Sequence, residues 1–116
     1  MKKYSLISLT SLLTLTSIHA QAAVITVNGS DGAIADDSIC TISEAIIAAN
    51  DNVAANGCAS GSMSGTDFIL LTQDITLTSQ YNVDDGGTGT PSIDSKILID
   101  GQGYSITRSE VVSTPE

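Results

Sequence analysis

The first candidates for a catalytic site in this 116-residue chain are acidic residues that occur together with an arginine. Paired carboxylates flanking a glycosidic bond can act as general acid and as base or nucleophile. Asp94, Asp100 and Arg108 have the residue types for such a site. However, Asp100 precedes a glycine turn, where aspartate commonly binds its own backbone, and Arg108 can simply balance local charge. The sequence therefore predicts no catalytic residue.

Calcium binding is the second chemistry that the composition offers. Asp31, Asp36 and Asp37 form one group of hard oxygen donors in a predicted loop, and Asp84 and Asp85 form another. Neither group has the spacing of an EF-hand loop or of a calcium-binding nonapeptide repeat. We therefore predict solvated acidic loops that aid solubility, without a cofactor or metal, and keep calcium as the alternative.

The N-terminal segment has the features of a secretory signal peptide. Lys2 and Lys3 form a positive region, residues 6–18 are rich in Leu and Ile, and residues 20–22 form a small-x-small cleavage site. Serines and threonines interrupt the apolar stretch, whereas a membrane anchor needs about 18 apolar residues in a row. We expect residues 1–22 to be removed, with an uncleaved anchor as the alternative. His19, the one histidine, would leave with them, so a Ser-His-Asp triad is excluded.

The exported part is strongly acidic. Loss of Lys2 and Lys3 leaves two cations against thirteen carboxylates, a formal net charge of −11. Nucleic-acid binding depends on Lys and Arg that neutralise phosphates, so this composition excludes nucleic acid as a partner. Anionic lipid surfaces are disfavoured for the same reason, and no second apolar run predicts membrane insertion after cleavage.

Cys40 and Cys58 are the two cysteines of the chain, and export would take both to a compartment where disulfides persist. A bridge between them would close a loop of about 19 residues and contribute on the order of 3 kcal/mol. A metal or redox pair is the alternative, but the C-x-x-C spacing is absent. We therefore predict a structural disulfide.

A helix is predicted directly after Cys40. Thr41 and Glu44 form a capping box, in which each side chain accepts from the other residue's backbone amide. Apolar residues then recur at the spacing of one helix face: Ile42, Ala45, Ile46 and Ala49. Asn50 or Asn52 is the predicted end. A helix of about ten residues is unstable alone, so this face must pack on other elements.

Short apolar runs predict strands at residues 24–28, 68–71, 75–78, 97–100 and 104–108. The last four form two units of strand, bend and strand, set about 30 residues apart, which is a spacing typical of stacked repeats. A β-sandwich or a pair of hairpins is equally consistent with these runs, with residues 101–103 as one hairpin turn. We place the boundary after residue 66: strand, cap helix and disulfide loop at 23–66, and repeated strands at 67–116.

Residues 40–50 resemble the bacterial CSLREA-type segment, whose usual form is Cys-Ser-Leu-Arg-Glu-Ala-Ile followed by Ala-Ala-Asn. Here the order is Cys-Thr-Ile-Ser-Glu-Ala-Ile, followed by Ile and then Ala-Ala-Asn. Thr41 and Ile42 keep the chemistry of the usual residues, whereas Ser43 replaces an arginine and removes a cation. The resemblance extends to residues 25–28, 66–71 and 97–106.

This resemblance implies the N-terminal cap helix and first coils of a right-handed parallel β-helix of the pectin-lyase-like kind, found in secreted and outer-membrane-associated bacterial proteins. We therefore expect a mainly β fold, incomplete at its C-terminus because no closing cap is visible there.

The expected function is that of a non-enzymatic, secreted or cell-surface scaffold of structural or adhesion type, with a surface glycan or protein as partner. The first alternative is the start of a β-helix polysaccharide lyase or hydrolase whose active site lies in further coils. The second is a small stand-alone disulfide domain.

Overall fold

The computed structural model describes residues 21–82 and 87–110. Most of the predicted signal peptide, residues 1–20, lies outside the described residues, as do Asp84 and Asp85 of the second acidic group. The segment 111–116 also lies outside them.

One helix and five strands form within the described ranges, close to the positions that the apolar runs predict. In chain order they are β1 (Val24–Val27), α1 (Ile42–Asp51), β2 (Asp67–Leu71), β3 (Ile75–Leu77), β4 (Ile97–Asp100) and β5 (Ile106–Arg108). The strands are rich in β-branched residues, which suit a pleated surface. Asn52 caps the C-terminal end of the helix and adopts the left-handed conformation with φ 55°.

Among the described residues, the five strands pair in parallel and form two small sheets. The first sheet has the order β1-β2-β4, and the second pairs β3 with β5. The register of the first sheet aligns Ile25 with Ile69 and Ile69 with Ile99. In the second sheet Ile75 lies beside Ile106. Equivalent apolar positions thus lie next to each other on neighbouring strands.

The core lies between α1 and the strands β1 and β2, and it includes Ile75 of β3. Its largest fully buried apolar side chains are Ile25, Ile42, Ile46, Ile69, Leu71 and Ile75. The helix is buried on more than the one predicted face, since Ser43, Glu44 and Ala48 are also inaccessible to solvent. Burial on several sides follows because the loops around α1 cover the surfaces that the sheet leaves open.

The prediction of a mainly β fold with parallel β-helix coils is wrong. The described residues form a small α/β fold with one helix and two parallel sheets of three and two strands, and no solenoid is seen among them. A solenoid core requires coil stacked on coil, so that every coil except the last buries its apolar column. Within the described residues the two sheets contain only three and two strands, so no column of stacked coils is formed. The strands of the second unit are the edge strands of these sheets, and they are exposed except for a half-buried Ile97.

The hairpin alternative is also wrong for residues 101–103. The turn there connects β4 to β5, but these strands belong to different sheets and do not pair with each other. The Tyr104 amide donates to the Gly101 carbonyl at 2.7 Å, which closes a tight bend. This bend therefore moves the chain from one sheet to the other.

Candidate functional site

The predicted disulfide is confirmed. Cys40 and Cys58 are bonded, with their Cα atoms 4.7 Å apart and a sequence separation of 18. Both residues are buried, at 1% and 4% exposure. Cys58 also exchanges backbone hydrogen bonds with Ala55, at 2.8 and 3.3 Å, so the second cysteine lies in a tight turn. The bridge therefore ties this turn to the residue that precedes the helix cap.

The helix begins with the capping box that its sequence indicates. The Thr41 hydroxyl accepts from the Glu44 amide at 3.4 Å, and the Glu44 carboxylate accepts from the Thr41 amide at 3.0 Å. The Thr41 hydroxyl in turn donates to the Ala33 carbonyl at 2.7 Å. The cap thus satisfies helix donors and also binds the loop between β1 and α1.

Glu44 has a larger role than its sequence position suggests. Its side chain is completely buried, and its Oε1 atom accepts from the Ala35 amide at 2.8 Å and from the Asn56 side-chain amide at 2.6 Å. Together with the bond from Thr41, neutral donors from three separate segments therefore bind one carboxylate. A buried charge requires such hydrogen bonds, and here they connect the helix start, the preceding loop and the disulfide turn.

Asp67 is the second buried carboxylate, at 1% exposure. Its Oδ1 atom accepts from the Ser62 amide at 2.8 Å and from the Ala23 amide at 3.4 Å. It thereby holds the chain before β1 and the loop before β2 at the start of β2. Backbone amides thus donate hydrogen bonds to both buried carboxylates. The role of these carboxylates is to hold the surrounding loops in place.

The end of β1 is joined directly to the disulfide. The Asn28 side-chain oxygen accepts from the Cys40 amide at 2.8 Å, while the Cys40 carbonyl accepts from the amides of Asn28 and Gly29 at 3.0 and 2.9 Å. A side chain at Gly29 would meet the Thr41 methyl group, with its Cβ 3.0 Å away. The candidate functional site consists of the disulfide, the capping box with its Asn56 contact, and the hydrogen bonds between Asn28 and Cys40. We call it the cap cluster: Asn28, Cys40, Thr41, Glu44, Asn56 and Cys58.

The residues considered for catalysis are not part of the cap cluster. Asp94 is exposed in the loop before β4, Asp100 ends β4, and Arg108 ends β5 in the other sheet. Asp100 accepts from the Gln102 amide at 3.0 Å, which is the local turn bond that its position before a glycine suggests. The structure thus gives Asp100 a turn-forming role.

Two of the loop aspartates considered for calcium accept hydrogen bonds from the backbone amide two residues further on. Asp31 accepts from the Ala33 amide and Asp37 accepts from the Ile39 amide, each at 3.0 Å. Asp36 is exposed. Across residues 21–82 and 87–110, no group of three or more His, Cys, Asp or Glu side chains is placed to share a metal ion.

Asn50 is a structural residue whose role the sequence pattern misses, since its place near the helix end suggests only a stop signal. Its side-chain amide donates to the Ser92 carbonyl at 2.8 Å, and its oxygen accepts from the Asp94 amide at 3.0 Å and the Ser95 hydroxyl at 3.1 Å. The Asn50 side chain therefore binds the loop before β4 to the end of the helix. These contacts span more than 40 residues, so no local pattern could reveal them.

Replacing Asn50 with alanine is expected to loosen this loop without unfolding the core. The Asp94 amide should exchange with solvent about tenfold faster, because its acceptor is removed and the loop surface is open to water. Hydrogen exchange followed by NMR measures this rate, with the amide of Ala45 in the buried helix as the internal control. Equal protection of Asp94 in both proteins would contradict the role given to Asn50.

Ser43 is a fully buried residue in the first turn of α1, and its surroundings are unfavourable. It has no solvent exposure, and its hydroxyl has no hydrogen-bond partner within the described part of the chain. Burying an unpaired hydroxyl costs about 1–3 kcal/mol. The serine side chain fits in this buried position because it is small. It lies close to Gly32, since a Cβ atom added to Gly32 would be 3.3 Å from the Ser43 hydroxyl oxygen.

Ser43→Ala is expected to increase the free energy of unfolding by about 1 kcal/mol. The change removes the unpaired hydroxyl, and alanine is the better helix former. Urea denaturation measures the difference. Ser95→Ala is the matched control, because the Ser95 hydroxyl has a partner in Asn50, and it should leave stability unchanged or lower. A destabilised Ser43→Ala variant would show that this hydroxyl has a partner after all.

Comparison of the chain with protein-family models, with curated proteins and with solved structures gives no match.

Proposed function

We propose that this protein is an exported bacterial domain with a structural role at or outside the cell surface, a non-enzymatic scaffold of adhesion type. The observation that carries the proposal is the buried Cys40–Cys58 disulfide at the centre of the cap cluster. Disulfides of this kind persist in oxidising compartments and are rare in the cytosol. The N-terminal signal pattern and the resemblance of residues 40–50 to CSLREA-type segments support the same compartment.

The use of buried polar groups supports a structural role. Glu44 and Asp67 are both inaccessible to solvent, and their oxygens accept from amides of the surrounding loops. A catalytic carboxylate must instead reach a substrate in a cleft. The role of the cap cluster is therefore to fix the conformation of the surrounding loops. Disulfides have this role in small domains whose hydrophobic core is limited.

The charge of the proposed domain bears on the partner that it can bind. It carries two cations against thirteen carboxylates after loss of residues 1–22. Such a surface repels anionic lipid and nucleic acid, and it favours a partner recognised through neutral hydrogen-bonding groups or through cations. A neutral surface glycan or a basic protein surface fits this description. None of the helices in the described segments is long and apolar enough to span a bilayer.

Export and processing can be tested by expressing the full chain in a bacterium and analysing each cell fraction by intact mass. We expect a product that begins at Ala23, lies outside the cytoplasm and has both thiols blocked to alkylation. The matched control places two charges in the apolar stretch, Leu12→Arg with Leu13→Arg, and should remain cytoplasmic with both thiols reactive. An unprocessed cytoplasmic wild-type product with two free thiols would refute the proposal.

Surface exposure can be tested separately with an amine reagent that does not cross membranes. Lys96 is the one lysine after residue 22, and it is exposed. Intact cells should therefore yield a labelled peptide at Lys96, and Lys96→Arg should abolish that label. If the label appears only after cells are lysed, the protein is not at the surface.

A further inference from the structure

The free edge of β4 is the feature of this fold that most resembles an interaction surface. In the order β1-β2-β4, strand β4 is terminal, and within the described residues no strand covers its outer side. Leu98 and Ile99 are 46% and 38% exposed, although Ile69, the neighbour of Ile99 in β2, is fully buried. An apolar edge with unpaired backbone groups is a template for pairing with another strand.

The backbone groups at this edge can be assigned. In a parallel ladder the N–H and C=O of one residue point to the same side, and the side alternates along the strand. The Asp67 amide donates to the Lys96 carbonyl at 2.8 Å, so Lys96, Leu98 and Asp100 direct their backbone groups toward β2. Ile97 and Ile99 therefore direct theirs toward the free edge.

The side chains of this edge are self-complementary in the antiparallel direction. Residues 96–100 read Lys-Ile-Leu-Ile-Asp, an apolar palindrome with opposite charges at its two ends. If two copies pair about a two-fold axis at Leu98, Ile97 of one copy lies opposite Ile99 of the second copy, and Lys96 lies opposite Asp100 of the second copy. The residues that face the edge form the hydrogen-bonded pairs, and Leu98 meets Leu98 in the non-hydrogen-bonded position, where side chains come closest.

We propose that the protein forms a homodimer through antiparallel pairing of β4 with β4 of a second copy. The self-complementary order of residues 96–100 favours a second copy as the occupant, and charge favours the antiparallel direction. Parallel pairing in register would place Lys96 beside Lys96 and Asp100 beside Asp100, which repel. Antiparallel pairing creates two opposite-charge contacts, which offset part of the repulsion between two acidic chains.

The dimer is tested by sedimentation velocity of the intact purified chain from about 1 µM to about 1 mM, since pairing of one short strand is a small interface and predicts weak affinity. Lys96→Glu and Asp100→Lys are the variants. Each alone makes both charge contacts repulsive and should weaken dimerisation on the order of tenfold or more. Circular dichroism checks that both remain folded.

An equimolar mixture of the two variants is the decisive sample. In the mixed dimer the introduced glutamate of one chain would face the introduced lysine of the other, and the remaining Lys96 would face the remaining Asp100. Both contacts become attractive again, so the mixture should dimerise about as well as the wild type and contain one chain of each kind. A wild type that stays monomeric throughout, or a mixture no more associated than its components, would overturn the proposal, and so would single variants that dimerise like the wild type.

Discussion

Glu44→Ala is expected to lower the free energy of unfolding by about 3 kcal/mol or more. The change removes the shared acceptor of the Thr41 amide, the Ala35 amide and the Asn56 side chain. Thr41 is itself buried, at 5% exposure, so its amide has little access to replacement water. Since small domains are stable by only about 5 kcal/mol, much of this protein should be unfolded at modest urea concentrations.

Urea denaturation followed by circular dichroism measures the effect of Glu44→Ala, and Asp51→Ala is its matched control. Asp51 is an exposed carboxylate in the last turn of the same helix, where negative charge is unfavourable. Its removal should leave stability equal or slightly higher. Glu44→Gln retains one acceptor oxygen and should fall between wild type and Glu44→Ala. Equal loss in the Asp51 and Glu44 variants would show that the buried carboxylate does not organise the loops.

Removal of the disulfide is the second change with a large expected effect. Cys40→Ala with Cys58→Ala should lower the free energy of unfolding by about 3 kcal/mol, because the unfolded chain regains the freedom of the closed loop. Loss of two buried sulfur atoms adds a packing cost. The Glu44 contacts depend on the same turn, since Asn56 lies two residues before Cys58.

Thermal melting with and without reductant measures this contribution. Reductant should lower the melting temperature of the wild type and leave the double alanine variant unchanged, so the variant serves as the control for effects of the reagent itself. A wild type that melts at the same temperature in both conditions would contradict a stabilising role for the bridge. Alkylation before melting verifies that the reduced sample contains two free thiols.

Local features of this fold could be predicted from residue order. Thr41 and Glu44 lie three positions apart, and their capping bonds need no other part of the chain, so the start of α1 follows from the sequence. The disulfide was predictable because a chain with two cysteines offers a single pairing within it, and its N-terminal pattern predicts a compartment where disulfides persist. The turn bond of Asp100 is equally local.

Contacts across the chain could not be predicted in this way. Asn50 has the sequence position of a helix stop, yet it binds a loop more than 40 residues away. The spacing of the strand units left stacked repeats and a sandwich or hairpins open, and the β-helix was expected from the resemblance. The exposure of β4 and β5 instead reflects how few strands stack within the described ranges. The periodicity of the sequence indicates which residues occupy equivalent positions in successive units. The extent of stacking depends on how many units pack together in the folded chain.

Residue types and their order were sufficient to predict the export pattern, the acidic charge, the disulfide and the helix cap. Each of these predictions depends on neighbouring residues or on a count of one residue type. The tertiary structure decided what these features do together. It buried Glu44 beneath two loops, made it the shared acceptor of three segments, and left the palindromic edge of β4 without a neighbouring strand among the described residues. Burial and shared hydrogen bonds arise from segments distant in sequence, and their cost or benefit exists only once packing removes water.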